Sequence, residues 1–335
     1  MIPTILVTGG AGYIGSHAAL FLAQKGYKVI ILDDFLQHQQ FNHAWAQVIK
    51  GDVADRALLA TIFKQHAIKA VMHFAAFIEV GESVRDPLKY YNNNVGKTIT
   101  LLEAMLEHNV RHFIFSSSCA VYGTPQWLPL TEDHPVQPVS PYGQSKLMIE
   151  NVLRDVAANH QLNFIALRYF NAAGALPEFG LGEQHTPETH LIPLLFKAAR
   201  SQAPFKLFGT DYPTKDGSCV RDYLHVWDIA DAHWRALEHL LQGKPSDVFN
   251  LGTGNGVSVR QMVDAVEKVT QTNINLIVEK RRQGDPAILV ADASKANLIL
   301  GWKPHYSELE FMLKSAYAFA YETRMPMQQG KNIQY

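Results

Sequence analysis

The sequence predicts an α/β fold: a doubly wound parallel sheet with a smaller α/β lobe. Three observations lead there. Short apolar runs alternate with amphipathic stretches through the N-terminal half. These runs are continuous rather than alternating, as expected where helices cover both faces of a sheet. The chain has 335 residues, above the usual ceiling for a single core, so two lobes sharing an extensive interface are expected.

Taken in order, Ile5-Leu6-Val7 reads as a strand and Ile14 to Lys25 as a helix. Gly26 closes that helix, since glycine accepts the left-handed conformation without steric cost. Lys28-Val29-Ile30-Ile31-Leu32 is the second strand, a third precedes Gly51, and Ala70 to Phe74 and Phe113 to Phe115 are later ones. A helix is predicted from about Pro141 to Asn159, followed by a strand over Asn163 to Leu167. The second half is less regular. Gly, Pro and His crowd residues 174–193, a long loop able to cover a site. Val226 to Leu241 reads as a helix and Val248-Phe249-Asn250 as a strand. Ser258-Val259-Arg260-Gln261 is a capping-box start to a helix reaching about Val269. The polar tail after Met325 is expected to be loosely held. Residues 1–170 would form the first lobe, with a return segment over 222–250, and 171–335 mainly the second, substrate-binding lobe.

Composition narrows the functional classes. The chain is 47% hydrophobic and 18% charged, and thirty basic residues against thirty-one acidic leave a net charge of −1. No nucleic-acid or membrane partner is expected from that balance. Cys119 and Cys219 are too few for a disulfide framework and too far apart for a zinc motif. No secretory leader or bilayer-spanning run is read, so the cytoplasm is the expected compartment. The fifteen histidines show neither HExxH nor paired helical spacing, and no metal is expected.

Thr8-Gly9-Gly10-Ala11-Gly12-Tyr13-Ile14-Gly15 lies between the first strand and first helix. Gly9 permits the tight turn, Gly12 lets the backbone approach a pyrophosphate, and Gly15 allows close helix–strand contact. Free N–H groups at the helix start would then meet the phosphates. Alone, such a pattern is weak evidence. Asp33, 18 residues after Gly15, strengthens it, because a carboxylate there accepts ribose hydroxyls and repels a 2′-phosphate. The reading is a Rossmann-like lobe that prefers NAD to NADP. Asp34 shares that role or is a solvated loop carboxylate. Asp52 would receive the adenine amine, or simply cap a loop.

Ser140-Pro141-Tyr142-Gly143-Gln144-Ser145-Lys146 opens a helix, with Ser140 suited to the N-cap and Pro141 to the first turn. Tyr142 and Lys146, four apart, share a helical face. A free phenol titrates near ~10, and a nearby ammonium is expected to lower it enough for proton transfer. An isolated pair of this kind usually just packs. Ser118 changes the balance, because it ends the Phe113 strand on the side where doubly wound sheets bind ligands.

These motifs resemble the extended short-chain dehydrogenase/reductase superfamily and, within it, the UDP-glucose 4-epimerase family. Four further runs carry the narrower resemblance: Val80-Gly-Glu-Ser83, Tyr90-Tyr-Asn-Asn-Asn-Val95, Arg168-Tyr-Phe-Asn171 and Phe208-Gly-Thr-Asp-Tyr-Pro213. Asp216-Gly217, Val220-Arg-Asp-Tyr-Leu-His225 and Arg281-Arg-Gln-Gly-Asp285 extend it, so that it spans about residues 3 to 305. The resemblance implies a UDP-sugar substrate, NAD held throughout the cycle, and inversion at sugar C4. Tyr142 would take the hydroxyl proton, Ser118 would share a hydrogen bond with the reacting oxygen, and Lys146 would hold the nicotinamide ribose.

By the same resemblance, Gly9, Gly12, Tyr13, Ile14, Gly15, Asp33, Asp52, Val53, Phe74, Ala75, Ala76, Asn93 and Phe170 would join that catalytic trio in holding NAD. Asn171, His190, Leu191, Lys206, Leu207, Phe208, Arg221, Arg282 and Asp285 would join Ser118 and Tyr142 in holding the UDP-sugar. Arg221 and Arg282 would clamp the diphosphate, and Asp285 would meet the uridine ribose. A homodimer is implied, pairing the helix near 83–108 with that near 142–159.

There are departures. Ile78 and Glu79 stand where some members carry a lysine near the pyrophosphate. His190 replaces an asparagine, and Leu289 occupies the gatekeeper position that sets pocket volume. Cys119-Ala120 replaces the Asp–Glu acid/base pair of nucleotide-sugar dehydratases, which argues against elimination chemistry. Epimerisation of another UDP-sugar (UDP-GlcNAc or a UDP-pentose), or a non-catalytic NAD sensor on the same fold, remain the alternative readings.

Overall fold

The computed structural model describes residues 2–36, 44–185, 187–282 and 285–322, so the tail after Met325 lies outside the described residues. The elements begin β1 (Thr4–Thr8), α1 (Tyr13–Gln24), β2 (Lys28–Asp33), β3 (Gln47–Lys50), α2 (Arg56–Gln65) and β4 (Ile68–His73). Next come α3 (Val80–Arg85), α4 (Pro87–Tyr90), a π-helical turn (Tyr91–Gly96), α5 (Lys97–Glu107) and β5 (His112–Ser116). Then follow α6 (Pro141–His160), β6 (Asn163–Tyr169), β7 (Asn171–Ala173), α7 (Leu191–Ser201), β8 (Phe205–Phe208) and β9 (Val220–His225). The remainder is α8 (Val226–Leu241), β10 (Asp247–Leu251), β11 (Gly256–Ser258), α9 (Val259–Thr270), β12 (Leu276–Glu279), β13 (Ile288–Leu289), α10 (Ser294–Leu300) and α11 (Leu309–Tyr321).

Seven parallel strands form the main sheet in the order β10-β6-β5-β4-β1-β2-β3. The continuous apolar runs have a direct explanation. Along β1, Ile5 and Val7 pack into a core on one face while Leu6 enters a second core on the other. Along β2, Val29 and Ile31 join the first core and Ile30 and Leu32 the second. Helices α1 and α8 cover the first face, and α2, α5 and α6 the second. Each fully buried aliphatic side chain contributes roughly 1.5–3 kcal/mol. A strand that feeds two cores therefore has no place for polar alternation.

The strand order reverses at β1, whose neighbours are β2 and β4. The crevice beyond the carboxyl ends at such a reversal is where open α/β sheets bind ligands. The smaller lobe is built on β11-β9-β13, with β7 also paired to β9, and on the β12-β8 pair. Its core gathers Ile192, Leu195, Phe196, Val263, Val266 and Leu313 from α7, α9 and α11.

The chain returns to the first lobe twice. Helix α8 packs beside α1, and β10 adds the edge strand next to β6. Helix α10 and Trp302, in the part read as second lobe, also bury Ala296, Leu300 and the indole in the first core. The long helix read near 83–108 is broken instead. Pro87 opens α4 with Asp86 accepting from Lys89 N, and the next turn widens to π geometry before α5. Among the described residues no helix is long and apolar enough to cross a membrane.

Candidate active site

Gly9 has φ +70, and a Cβ there would lie 2.4 Å from Ala75 N. The turn therefore presses against the segment leaving β4, which only glycine allows. A Cβ on Gly15 would sit 2.3 Å from Gly9 O, so the helix start nests into the turn itself. Gly12 caps α1 without a side-chain bond, so no cap side chain competes for the first-turn N–H groups. Asp33 accepts from Ala11 N at 3.0 Å and Phe35 N at 2.9 Å, which braces the turn from the end of β2. The Tyr13 hydroxyl donates to Gly174 O at 2.6 Å, tying the same helix start to the second lobe.

A cleft of about 470 Å³ runs from this turn to the second lobe. Gly9, Gly12, Tyr13, Ile14, Gly15, Asp33, Val53, Phe74, Ala75, Ala76 and Asn93 line one part of it. Asp52 does not. Its carboxylate pairs with Lys97 Nζ at 2.6 Å and accepts from Ala54 N at 2.8 Å. Burial opposes ionisation there, but the lysine and the loop N–H hold the group below the usual carboxylate range. Its neighbours Gly51 and Val53 face the cleft in its place, as does Lys97.

Ser118, Tyr142, Lys146, Phe170, Asn171, His190 and Leu191 line the rest, with Leu289 at the far end. The Ser140 hydroxyl accepts from Gly143 N at 3.2 Å and Pro141 occupies the first turn of α6, as the sequence predicts. That start aims Tyr142 and Lys146 into the cleft. Lys146 Nζ donates to Ser116 O at 2.8 Å and lies 5.8 Å from the Tyr142 ring centre. The expected lowering of the phenol by this ammonium is not what the fold produces. Burial pushes the Tyr142 hydroxyl up to about 12, partly offset by its hydrogen bond to Ser118. Burial also pushes Lys146 down to about 7. Two desolvated groups each lose the charged form when the ammonium is engaged by a carbonyl rather than by the phenol.

Asn93 lies in the π-helical turn, a geometry that recurs at functional sites. Its neighbour Asn94, which sequence reasoning passed over, is buried. Its amide binds Phe77 N and O and donates to Ser145 Oγ at 3.1 Å. It thus clamps the segment after β4 to α6. The only local signal was a run of three asparagines in a helix that disfavours them.

The other second-lobe residues form a separate group beyond the cleft lining. Arg221, on β9, is ion-paired with Asp285 and donates to Val220 O at 2.7 Å. The Arg282 guanidinium stacks 4.3 Å from the Phe208 ring centre. Strand register places Leu289 opposite Arg221, which joins this group to the far end of the cleft. Lys206 is ion-paired with Glu279 at 3.1 Å and mostly exposed, and Leu207 is buried in the core. Neither of these two faces the cleft.

The 174–193 loop contributes side chains that the sequence did not single out. Glu183 and His185 line the cleft beside His190. His190 Nδ1 is 2.9 Å from Glu188 Oε1 and 3.2 Å from Glu183 Oε1. Burial pushes the Glu183 carboxyl up to about 7. Burial opposes the charged form of His190 too, but its carboxylate neighbours raise it to about 9. Glu79, where the resemblance pointed to a missing lysine, accepts from the Thr189 hydroxyl at 2.9 and 3.0 Å. The residue before α3 is therefore tied across the cleft to this loop.

The glycine-rich turn, the helix start without a side-chain cap and the Asp33 carboxylate together fit a dinucleotide with an unsubstituted ribose 2′-hydroxyl. Comparison with known proteins agrees. The sequence profile of the NAD dependent epimerase/dehydratase family matches residues 5–252. A UDP-glucose 4-epimerase of Rhizobium meliloti is 49% identical over 315 residues, covering 93% of this chain and 95% of that protein. The crystal structure of UDP-glucose 4-epimerase from Brucella ovis in complex with NAD superposes with a TM-score of 0.92 at 44% identity, covering 95% of this chain and 98% of that one. A UDP-glucose 4-epimerase from Stenotrophomonas maltophila, with bound NAD and formylated UDP-arabinopyranose, superposes with a TM-score of 0.90 at 39% identity, covering 95% and 97%.

Proposed function

The chain belongs to the NAD dependent epimerase/dehydratase family, and from that premise we propose that it interconverts UDP-glucose and UDP-galactose. The observation that carries this reading is the convergence of Ser118, Tyr142 and Lys146 on the same cleft as the glycine turn. Bound NAD supplies the hydride acceptor and donor at sugar C4, so that the reaction is redox-neutral overall. In this reading the enzyme is an isomerase that retains its cofactor.

The roles given to the protein groups are those the resemblance implies, and their positions support them. Tyr142 takes the 4-hydroxyl proton and returns it, a step worth roughly 10²–10⁴ in rate for a positioned acid–base. Ser118 lines the cleft beside that phenol and orients the reacting oxygen. The Lys146 ammonium, held by Ser116 O, would face the nicotinamide ribose. Asp33 and the turn hold the adenosine half and the pyrophosphate. Phe170 and Asn171 meet nicotinamide and diphosphate, and His190 and Leu191 at the start of α7 meet the sugar nucleotide. Arg221, Arg282, Phe208 and Asp285 engage the UDP end once it bridges from Leu289 towards β9. In this reading the lobes are residues 1–170 with the return over 222–250 and residues 171–335, and the cleft lies between them. A cytoplasmic homodimer completes the proposal. Its paired surface would be α3–α5 against α6, where Val84, Leu88, Ile99 and Met148 are exposed.

The test is a side-by-side assay of UDP-glucose, UDP-GlcNAc and UDP-xylose with purified enzyme and with Tyr142→Phe. The expected result is conversion of UDP-glucose, lost by about 10²–10⁴-fold in the variant while NAD stays bound. Unchanged turnover in the variant, or no conversion of any sugar, would sink the assignment.

A further inference from the structure

We propose that Glu183, His185, Glu188 and His190 form a binding site for one divalent transition-metal ion of the zinc class. The sequence carries a carboxylate-x-imidazole unit twice within eight residues, as Glu183-Gln184-His185 and Glu188-Thr189-His190. No helical or Cys-based spacing marks it, so it is invisible to a search for the common metal motifs. The fold between β7 and α7 folds the two units onto each other. One ligand atom from each of the four side chains lies within 4.8 Å of all the others.

The distances are close to those a metal requires. A tetrahedral ion with bonds of about 2.0–2.2 Å holds its ligand atoms roughly 3.4 Å apart. His190 Nδ1 stands 2.9 Å from Glu188 and 3.2 Å from Glu183, and His185 Nδ1 stands 3.7 Å from Glu183. The two imidazole ring centres are 4.8 Å apart. Small side-chain rotations therefore complete the polyhedron, with no displacement of secondary structure.

Charge points the same way. Glu79 joins Glu183 and Glu188 through its hydrogen bonds from Thr189, which places three carboxylates around the loop. Among the described residues, the ion pairs made by Glu183 and Glu188 are with histidine alone. A dication supplies a stronger countercharge than the imidazoles alone, since no described lysine or arginine is ion-paired with either glutamate. Two imidazoles with two carboxylates are a nitrogen–oxygen set suited to zinc and its neighbours, whereas magnesium and calcium favour more oxygens. Four protein ligands close the coordination sphere, so the role is structural: the ion pins the loop across the cleft mouth. Tyr142, Lys146 and Ser118 take no part, whereas His190 is shared with the proposed sugar-nucleotide contact.

Tag-free holoenzyme is dialysed against micromolar zinc chloride, then against metal-free buffer, and its metal content is measured. One zinc per chain is expected, with a raised thermal midpoint and no comparable retention of magnesium or calcium. His185→Gln and Glu188→Gln should each lose the zinc while keeping NAD and the far-UV circular dichroism of the parent. Absence of retained zinc in the parent overturns the proposal. Full retention in both variants overturns it too, because the ion would then sit elsewhere. Should either variant fail to fold, the parent loaded with cobalt decides the matter. A tetrahedral visible spectrum supports the site and an octahedral one rejects it.

Discussion

Lys146 is a nearly fully buried ammonium bonded to a backbone carbonyl, and burial lowers it to about 7. An unfolded lysine titrates near ~10.4. Between about pH 7 and pH 10 the unfolded chain therefore binds more protons than the folded one, and nucleotide-free protein gains stability as pH rises across that window. Lys146→Met removes the buried charge. The variant should have the higher urea midpoint at pH 7 and below, with the difference narrowing towards pH 10. Its size is on the order of 1 kcal/mol for each unit by which the lysine is depressed. A wild-type midpoint that does not rise between pH 7 and pH 10 would refute this account. The pairing of Tyr142 with Lys146 was legible from a spacing of four, because helix geometry is local. The direction of their titration was not, since desolvation depends on everything packed around them.

At the scale of elements, α6 carries the proposed catalytic pair and its start sets where that pair points. Ser140 accepts from Gly143 N and Pro141 fills the first turn, so this start is encoded within a few residues. Ser140→Ala should lower stability by about 1 kcal/mol, read as a shift in urea midpoint at unchanged m-value. The helix start at Ser258 was legible for the same reason, and both halves of its capping box are present. The region from Val80 to Glu107 was not. Its π turn follows from Asn94 binding Phe77 and Ser145, a long-range demand that a run of asparagines does not advertise.

At the scale of the molecule, two exchanges between lobes shape the site. Helix α8 and strand β10 carry the chain back to the first sheet, and α10 with Trp302 does so again. Behind the cleft, Glu150 is fully buried and binds Arg168 through both oxygens while accepting from Ser117. That network fastens α6 to β6 and to the strand end that carries Ser118. The exposed Leu88 and Met148 lie on elements packed against each other, as a paired surface requires. Leu88→Asp combined with Met148→Asp should convert the proposed dimer to monomer in sedimentation while NAD remains bound. An unchanged sedimentation coefficient at monomer mass in the parent would remove the dimer from the proposal.

The sequence by itself determined the elements whose cause is local. These are apolar runs long enough for strands buried on both faces, glycines where a turn must cross to positive φ, serines at helix starts, and Tyr142 and Lys146 on one face. It also carried Asp33 in register with the turn, from which the preference for NAD was read. Tertiary structure alone decided what depends on distant partners. It drew Asp52 away to Lys97, paired Arg221 with Asp285, and turned His190 towards Glu183 and Glu188. The physical reason is the same in each case. A charged side chain settles where burial and countercharge balance, and both are properties of the folded neighbourhood rather than of the residue's place in the chain.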